Sequence, residues 1–197
     1  MNKKLLVSLL LASTLLTSCT LTTINTSFDI DRYDEYLDKC YLARDFMPSL
    51  DSFANYKDIS VSLTSSDHKF GGKDTVPIGL IVFVSYEDEI FDEKKEEVNK
   101  KYSFVEEPII RDDDILMPAI DMIYCEYRIR VVYDRDDVYY PNYFGMIGIN
   151  NSIQTIAYLY YEEHSYDLIS YVGDSIEKQE NKFISRIMEE AFVFPDL

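Results

Sequence analysis

Carboxylates are the most abundant groups in this chain that could do chemistry, because 36 acidic residues stand against 19 basic ones. Clusters of aspartate offer the hard oxygen ligands that Ca²⁺ prefers. They occur at Asp29 and Asp31, at Asp112, Asp113 and Asp114, and at Asp134, Asp136 and Asp137. None follows the EF-hand spacing, and consecutive aspartates on an extended loop point in different directions. The pattern therefore predicts a solvated acidic surface and no metal site.

A second group of titratable residues is Glu162-Glu163-His164, near the end of a predicted strand. Neighbouring residues on a strand face opposite sides, so the two glutamates cannot act there as an acid and base pair. A zinc site would need His68 as well as carboxylates. The chain has no G-x-S-x-G nucleophile motif, and Gly71-Gly72-Lys73 lacks the spacing of a phosphate-binding loop. We therefore expect no catalytic residue and no cofactor, although the sequence leaves enzymatic activity open.

Tyrosine provides a third chemical signal, since the chain has 17 tyrosines and no tryptophan. Tyrosine rings combine an apolar body with a polar tip, which suits binding to a peptide, a protein partner or a glycan. The lack of tryptophan disfavours the glycan. The alternative is that tyrosine is only a good strand former with its hydroxyl at the rim. The predicted binding surface consists of Tyr139, Tyr140, Tyr143, Tyr158 and Tyr160.

Cys40 and Cys125 are expected on inward faces of a helix and a strand, where they could meet. Outside the cell, two such cysteines could form a disulfide. The alternative is two buried thiols that act as small hydrophobic side chains.

The N-terminal residues are typical of an export signal. Asn2-Lys3-Lys4 is positively charged, and the apolar stretch over residues 5–16 is shorter than the roughly 20 residues that span a membrane. Leu16-Thr17-Ser18-Cys19 resembles the lipobox of bacterial lipoproteins, an aliphatic residue and two small residues before a cysteine that receives diacylglycerol. The resemblance implies removal of residues 1–18, lipid on Cys19 and anchoring at the extracytoplasmic face of the cell membrane. The alternative is an ordinary secretory signal in which Cys19 is incidental.

Charge restricts the partners of the mature chain. Both lysines of the signal leave with it, so 17 of the 19 basic residues remain against 36 acidic ones, a formal charge of −19. Such a charge repels nucleic acid and anionic lipid headgroups. The expected partners are therefore the membrane, through the lipid anchor, and a protein or peptide, with nucleic acid excluded.

Hydrophobic periodicity predicts the elements that position these residues. Residues 19–27 are expected to be a flexible lipidated tether, followed by a single acidic domain over residues 28–197. Three- and four-residue spacing predicts helices after Asp29, over 87–101 and after Asp174. Apolar alternation and apolar runs predict strands at 58–63, 76–86, 121–133, 143–149 and 153–162. This order predicts an α+β fold, with an antiparallel or mixed sheet of about five strands packed against two to three helices.

These features favour a membrane-anchored extracytoplasmic lipoprotein whose domain is non-catalytic and binds a protein or peptide. The alternative is a cell-envelope domain that binds a glycan, a small molecule or a divalent cation, or that acts as a hydrolase. An exposed tyrosine patch would favour the first function. A concave site that joins His68 or His164 to carboxylates would favour the second.

Overall fold

The computed structural model describes residues 23–40, 42–67, 75–111, 114–133, 140, 142–163, 183, 187–189 and 191–194. Several residues singled out from the sequence lie outside this part of the chain. They are the signal segment with Cys19, His68, Gly71 to Lys73, Asp112, Asp113, residues 134–137, Tyr139, His164 and Asp174. In the described ranges, no helix combines the length and the apolar character that crossing a membrane would require.

The described residues form nine strands in two antiparallel sheets. The strands are β1 Thr23–Ser27, β2 Tyr56–Asp67, β3 Thr75–Tyr86, β4 Ile109–Arg111, β5 Asp114–Met117, β6 Asp121–Tyr124, β7 Tyr127–Val131, β8 Tyr143–Asn150 and β9 Thr155–Glu162. The larger sheet has seven strands in the order β1-β2-β3-β9-β8-β7-β6, and β4 pairs with β5 in the smaller one. The α+β prediction is confirmed, but the expected number of about five strands is too low.

One additional strand arises because the segment predicted as a single strand over 121–133 is a hairpin of β6 and β7. Cys125 and Glu126 both have positive φ, 45° and 63°, the conformation that a two-residue hairpin turn requires. Neither residue is the glycine or asparagine that usually marks such a turn, so the sequence carries no signal for it. As a result Tyr127 and Ile129 point into the core, whereas Cys125 is exposed.

Residues 23–27 form an edge strand, although they were expected to belong to a flexible tether. β1 pairs antiparallel with the end of β2, from Thr23 opposite Asp67 to Ser27 opposite Leu63. Ser27 Oγ and the Tyr36 hydroxyl oxygen lie 2.5 Å apart, which joins the strand to the first helix. An edge strand needs backbone pairing, and this polar segment lacks the apolar alternation that predicts a strand. The tether prediction is therefore wrong for these residues.

Helices cover one face of the larger sheet. The helices are α1 Tyr33–Lys39, α2 Ala43–Phe46 and α3 Asp88–Lys101, with 3-10 turns at Ile30–Arg32 and Leu50–Ser52. α3 agrees with the helix predicted over 87–101. The first predicted helix is broken after α1, because Leu42 adopts a left-handed φ of 62°. Leu37 of α1 and Phe91 of α3 belong to a buried cluster with Val82 and Ile156 of the sheet.

The opposite face of the sheet is covered by β5 and the C-terminal segment, whose described residues Phe183, 187–189 and Ala191 are helical. Met117 and Ile187 belong to the buried cluster on this face, together with Ile81 of β3 and Leu159 of β9. Every residue of β9 is buried. The centre of the sheet is thus enclosed on both sides, and solvent-accessible space is found towards its ends.

Candidate functional site

A cleft of about 390 Å³ opens where β8 begins, close to the end of β9. This volume lies within the range typical of ligand-binding pockets. The lining is mostly aromatic and comes from segments far apart in the sequence. The lining residues of this aromatic cleft are Leu42, Asp45, Phe46, Tyr102, Val132, Tyr133, Tyr140, Tyr143, Phe144, Gly145 and Tyr160.

Gly145 and Phe46 form one wall of the aromatic cleft. A Cβ atom at Gly145 would collide with the Phe46 ring, so glycine allows this ring to lie directly against the backbone of β8. The Phe46 ring also packs on Tyr102, with ring centroids 5.5 Å apart. Because Phe46 is in contact on both sides, this wall is held in place by packing within the chain.

Tyr140 fixes a second wall. Its ring is buried, and its hydroxyl donates a hydrogen bond to the Val132 carbonyl oxygen at 2.8 Å. Its ring centroid lies 6.5 Å from that of Phe144. Tyr143 is half-buried and Tyr133 is 43% exposed, so these two rings lie towards the mouth. The aromatic cleft therefore has fixed rings inside and accessible rings at its entrance.

Tyr160 contributes a buried polar atom to the lining. The residue is 2% exposed, and its hydroxyl has no hydrogen-bond partner among the described residues. An unpaired buried polar group costs roughly 1–3 kcal/mol, a cost that a ligand group could relieve. Burial, followed by the neighbouring Glu162 carboxylate, raises the pKa of Tyr160 well above its ordinary value. The hydroxyl therefore stays neutral and can both donate and accept a hydrogen bond.

Asp45 is the one charged residue among the described residues of the lining, and it is exposed. No described basic residue pairs with its carboxylate, since the adjacent Arg44 bonds to Asp38 at 2.5 Å. A further carboxyl group, that of Glu162, is buried on the same face of β9 as Tyr160. The aromatic cleft thus combines ring faces with negative charge.

The chemistry of the aromatic cleft fits binding better than catalysis. The described residues of its lining include no histidine, serine or cysteine, so no described nucleophile lies beside a base there. The nearby Cys40 is no thiolate, because burial and then Glu162 raise the pKa of its thiol to about 12. Among the described residues, no group of three His, Cys, Asp or Glu side chains could hold a metal ion.

The structure brings together three of the five tyrosines that were predicted to bind. Tyr140, Tyr143 and Tyr160 line the aromatic cleft, whereas Tyr158 is buried in the core beneath the helices. Tyr139 lies outside the described residues. The expectation of an exposed tyrosine face is wrong for Tyr140, Tyr158 and Tyr160, because helices and neighbouring rings cover all three.

Sequence reasoning missed Asp45, Phe46, Tyr102 and Gly145 as parts of a site. Phe46 ends a short helix and Tyr102 follows a long one, so only the tertiary fold places their rings together. A glycine inside an apolar strand signals a close approach of another group to the backbone. Of these four missed residues, Gly145 in β8 is the one for which the sequence carried such a signal.

Cys40 and Cys125 are both free, so the structure does not contain the disulfide that the sequence left possible, and only Cys40 is a buried thiol. Cys40 packs in the buried cluster beneath the helices. Cys125 lies in the exposed turn between β6 and β7, because that turn removes it from the inward face on which a continuous strand would have placed it.

A second cleft of about 320 Å³ lies against β2 and β3, on the face that the C-terminal segment covers. Its lining residues are Phe28, Ser60, Val61, Ser62, Phe83, Val193 and Phe194. Ser62 Oγ is buried there without a hydrogen-bond partner in the described part of the chain. Phe28 is 64% exposed and lies at the rim. None of the described residues that line this second cleft is charged.

The fold defines an α+β protein with an antiparallel sheet between helices and a C-terminal segment. No protein-family model, curated protein or solved structure matches the chain.

Proposed function

We propose that the chain is a membrane-anchored extracytoplasmic lipoprotein whose domain binds a segment of a partner polypeptide without covalent chemistry. The aromatic cleft carries this proposal, since packed rings and the Tyr160 hydroxyl, which has no described partner, line the same space, and the described lining holds no nucleophile. Rings that are already fixed reduce the entropic cost of binding. Aromatic side chains also supply a large share of the binding energy in protein recognition.

The sequence Leu16-Thr17-Ser18-Cys19 supports the anchor, because it resembles a lipobox. Lipid on Cys19 would leave three residues, 20–22, before the first residue of β1. That stretch reaches at most roughly 14 Å, so the domain would be held next to the bilayer. The negative charge of the domain would oppose direct adsorption to anionic lipid, so the acyl chains would provide the attachment.

Cys19→Ala tests the anchor. We expect the variant protein to appear in the medium or to remain as an unprocessed precursor, measured by cell fractionation and intact mass. Cys125→Ala, which changes an exposed cysteine in a turn, should keep membrane retention and the mature mass. Unchanged mass and retention in Cys19→Ala would refute lipidation at this residue.

A random dodecapeptide library, selected on the full chain in detergent, tests the binding function. Selected peptides should bind Tyr133→Ala at least roughly tenfold more weakly, because truncating an aromatic anchor commonly costs more than 1 kcal/mol. Tyr56→Ala is the matched control, since Tyr56 is 47% exposed against 43% for Tyr133 and does not line the aromatic cleft. Equal loss in the two variants, or a library without binders, would contradict the proposal.

A free small molecule or glycan is the second candidate ligand, because the volume of about 390 Å³ also suits a small-molecule site. Calorimetric titration with soluble cell-wall fragments separates the two candidates. Heat that disappears in Tyr133→Ala and persists in Tyr56→Ala, in the absence of any selected peptide, would favour the second.

A further inference from the structure

We propose that the aromatic cleft selects a cationic side chain, the ammonium group of lysine or the guanidinium group of arginine, presented by the bound partner segment. This inference rests on the proposed function, because it names the chemistry of the group that enters the same cleft. Three independent properties of the lining support it: charge, ring faces and one unpaired hydroxyl.

Charge complementarity is the first argument. Among the described residues of the lining, Asp45 is the one that carries a charge, and no described basic residue pairs with its carboxylate. A cation that enters the aromatic cleft would approach this carboxylate beside packed rings, where opposite charges attract more strongly than in bulk water. The formal charge of −17 on the whole chain adds long-range attraction for a basic segment.

The faces of the aromatic rings are the second argument. A cation over a ring face is stabilised by the negative face of the ring quadrupole. The chain already makes such contacts in and near the wall of the aromatic cleft. Lys101 Nζ lies 4.9 Å from the centroid of Tyr102, and the Arg130 guanidinium carbon lies 3.5 Å from the centroid of Phe104. The rings of Phe46 and Tyr133 offer the same chemistry to an incoming group.

The Tyr160 hydroxyl is the third argument. Its oxygen has no described partner and can accept a hydrogen bond from the N–H of an ammonium or guanidinium group. An aliphatic side chain of the same length has no N–H group, so it would leave this hydroxyl unpaired and Asp45 uncompensated. Sites that leave buried polar groups unpaired discriminate strongly against the ligand that lacks the matching group.

The test compares peptides that differ at one side chain. The heptapeptide GSGKGSG, with blocked termini, would be titrated calorimetrically into the full chain in detergent, beside versions with norleucine or acetyl-lysine in place of lysine. We expect the lysine peptide to bind at least roughly tenfold more tightly than either neutral peptide. Its affinity should fall several-fold between about 20 and about 200 mM NaCl, because salt screens the attraction.

Asp45→Asn shows whether the preference arises in the aromatic cleft. The variant should lose a large part of the preference for lysine over norleucine, since the ring faces and the Tyr160 hydroxyl remain, whereas Asp51→Asn should keep the wild-type ratio. Asp51 is the matched control, because it is also an exposed acid but does not line the cleft. A preference for lysine that is undiminished in Asp45→Asn would overturn the inference.

The outcomes separate the two proposals. If the norleucine peptide binds as tightly as the lysine peptide, and Tyr133→Ala weakens both, the cation inference is overturned and the proposed function stands. If no peptide, from the library or of this series, binds in a way that depends on Tyr133, the proposed function fails and the inference fails with it.

Discussion

The two clefts lie against the same sheet and have similar volumes, about 390 and about 320 Å³. Each contains a buried hydroxyl without a described partner, that of Tyr160 in the aromatic cleft and that of Ser62 in the second cleft. They differ in what surrounds this hydroxyl. In the described lining, the aromatic cleft has packed rings and the Asp45 carboxylate, whereas the second cleft has apolar side chains and serines without a charged group. Volume and an unpaired hydroxyl therefore do not distinguish the two clefts. The charge and the aromatic rings around the hydroxyl do.

Among the variants that distinguish the two clefts, Gly145→Ala should have the largest effect on stability. The added Cβ would press on the Phe46 ring and displace one wall of the aromatic cleft. Overpacking typically costs about 1–3 kcal/mol, so we expect the free energy of unfolding to fall by about 2 kcal/mol in urea denaturation. Gly148→Ala is the control in the same strand, since its added Cβ would meet the nearest atoms at 3.4 Å, an ordinary contact. If Gly148→Ala lowered the free energy of unfolding by the same amount, the close approach of Phe46 to Gly145 would not be the cause of the loss.

Removing the two unpaired hydroxyls tests whether the clefts are equivalent. Tyr160→Phe and Ser62→Ala each delete a buried polar atom without a described partner, so each should raise the free energy of unfolding by about 1 kcal/mol. Only Tyr160→Phe should also weaken binding of the lysine peptide, by several-fold in calorimetry. Equal weakening in Ser62→Ala would show that the second cleft takes part in binding. Destabilisation by Tyr160→Phe would show that its hydroxyl is bonded in the folded chain.

Alkaline pH should affect the aromatic cleft and spare the second cleft, because no ionisable side chain occurs among the described residues that line the second cleft. Burial, and then Glu162, raises the pKa of Tyr160 in the folded chain. The unfolded chain loses this proton near pH 10, so the stabilising contribution is complete below about pH 10 and is lost as the pH rises further. The free energy of unfolding should therefore fall between about pH 10 and about pH 11.

Two variants test whether Tyr160 causes this loss of stability at alkaline pH. Tyr160→Phe should show a shallower decline of the free energy of unfolding with pH, measured by urea denaturation at each pH. Ser62→Ala should keep the wild-type slope, because serine does not titrate in this range. A wild-type slope in Tyr160→Phe would mean that tyrosines elsewhere account for the decline.

Phe28→Ser should have the smallest effect on stability among these variants and no effect on binding. Phe28 lies at the rim of the second cleft and is 64% exposed, so its replacement should change the free energy of unfolding by less than about 0.5 kcal/mol. The affinity for the lysine peptide should stay at the wild-type value in calorimetry. Reduced affinity in this variant would require the second cleft to contribute to binding.

Elements with strong hydrophobic patterns were predictable from the sequence. The helix over 87–101 and the long buried strand over 76–86 appear as expected, because their burial imposes an apolar stripe or an apolar run. β1 was not predictable, since an edge strand is held by backbone pairing that polar side chains do not reveal. The turn at Cys125-Glu126 was missed for a related reason, because its residues do not favour positive φ.

The candidate site was predictable only in part. Tyr140, Tyr143 and Tyr160 belong to the predicted tyrosine set and line the same cleft, because the antiparallel pairing of β8 with β9 places Gly145 opposite Tyr160. Their role as a concave lining was not predictable, since Phe46 and Tyr102 reach the same place only through tertiary packing. The anchor at Cys19 stays a prediction.

The position of β9 in the sheet has a consequence for the order of folding. β9 is the last of the described strands, yet it lies between β3 and β8, with Gly79 opposite Tyr161. Until β9 is available, β1–β3 and β6–β8 are two separate groups of described strands, each with an apolar edge that β9 later covers. Pairings between residues so distant in sequence form slowly, because closing the intervening loop costs entropy. This sheet is completed only after β9 has been synthesised, which suits the export that the proposed lipid anchor requires.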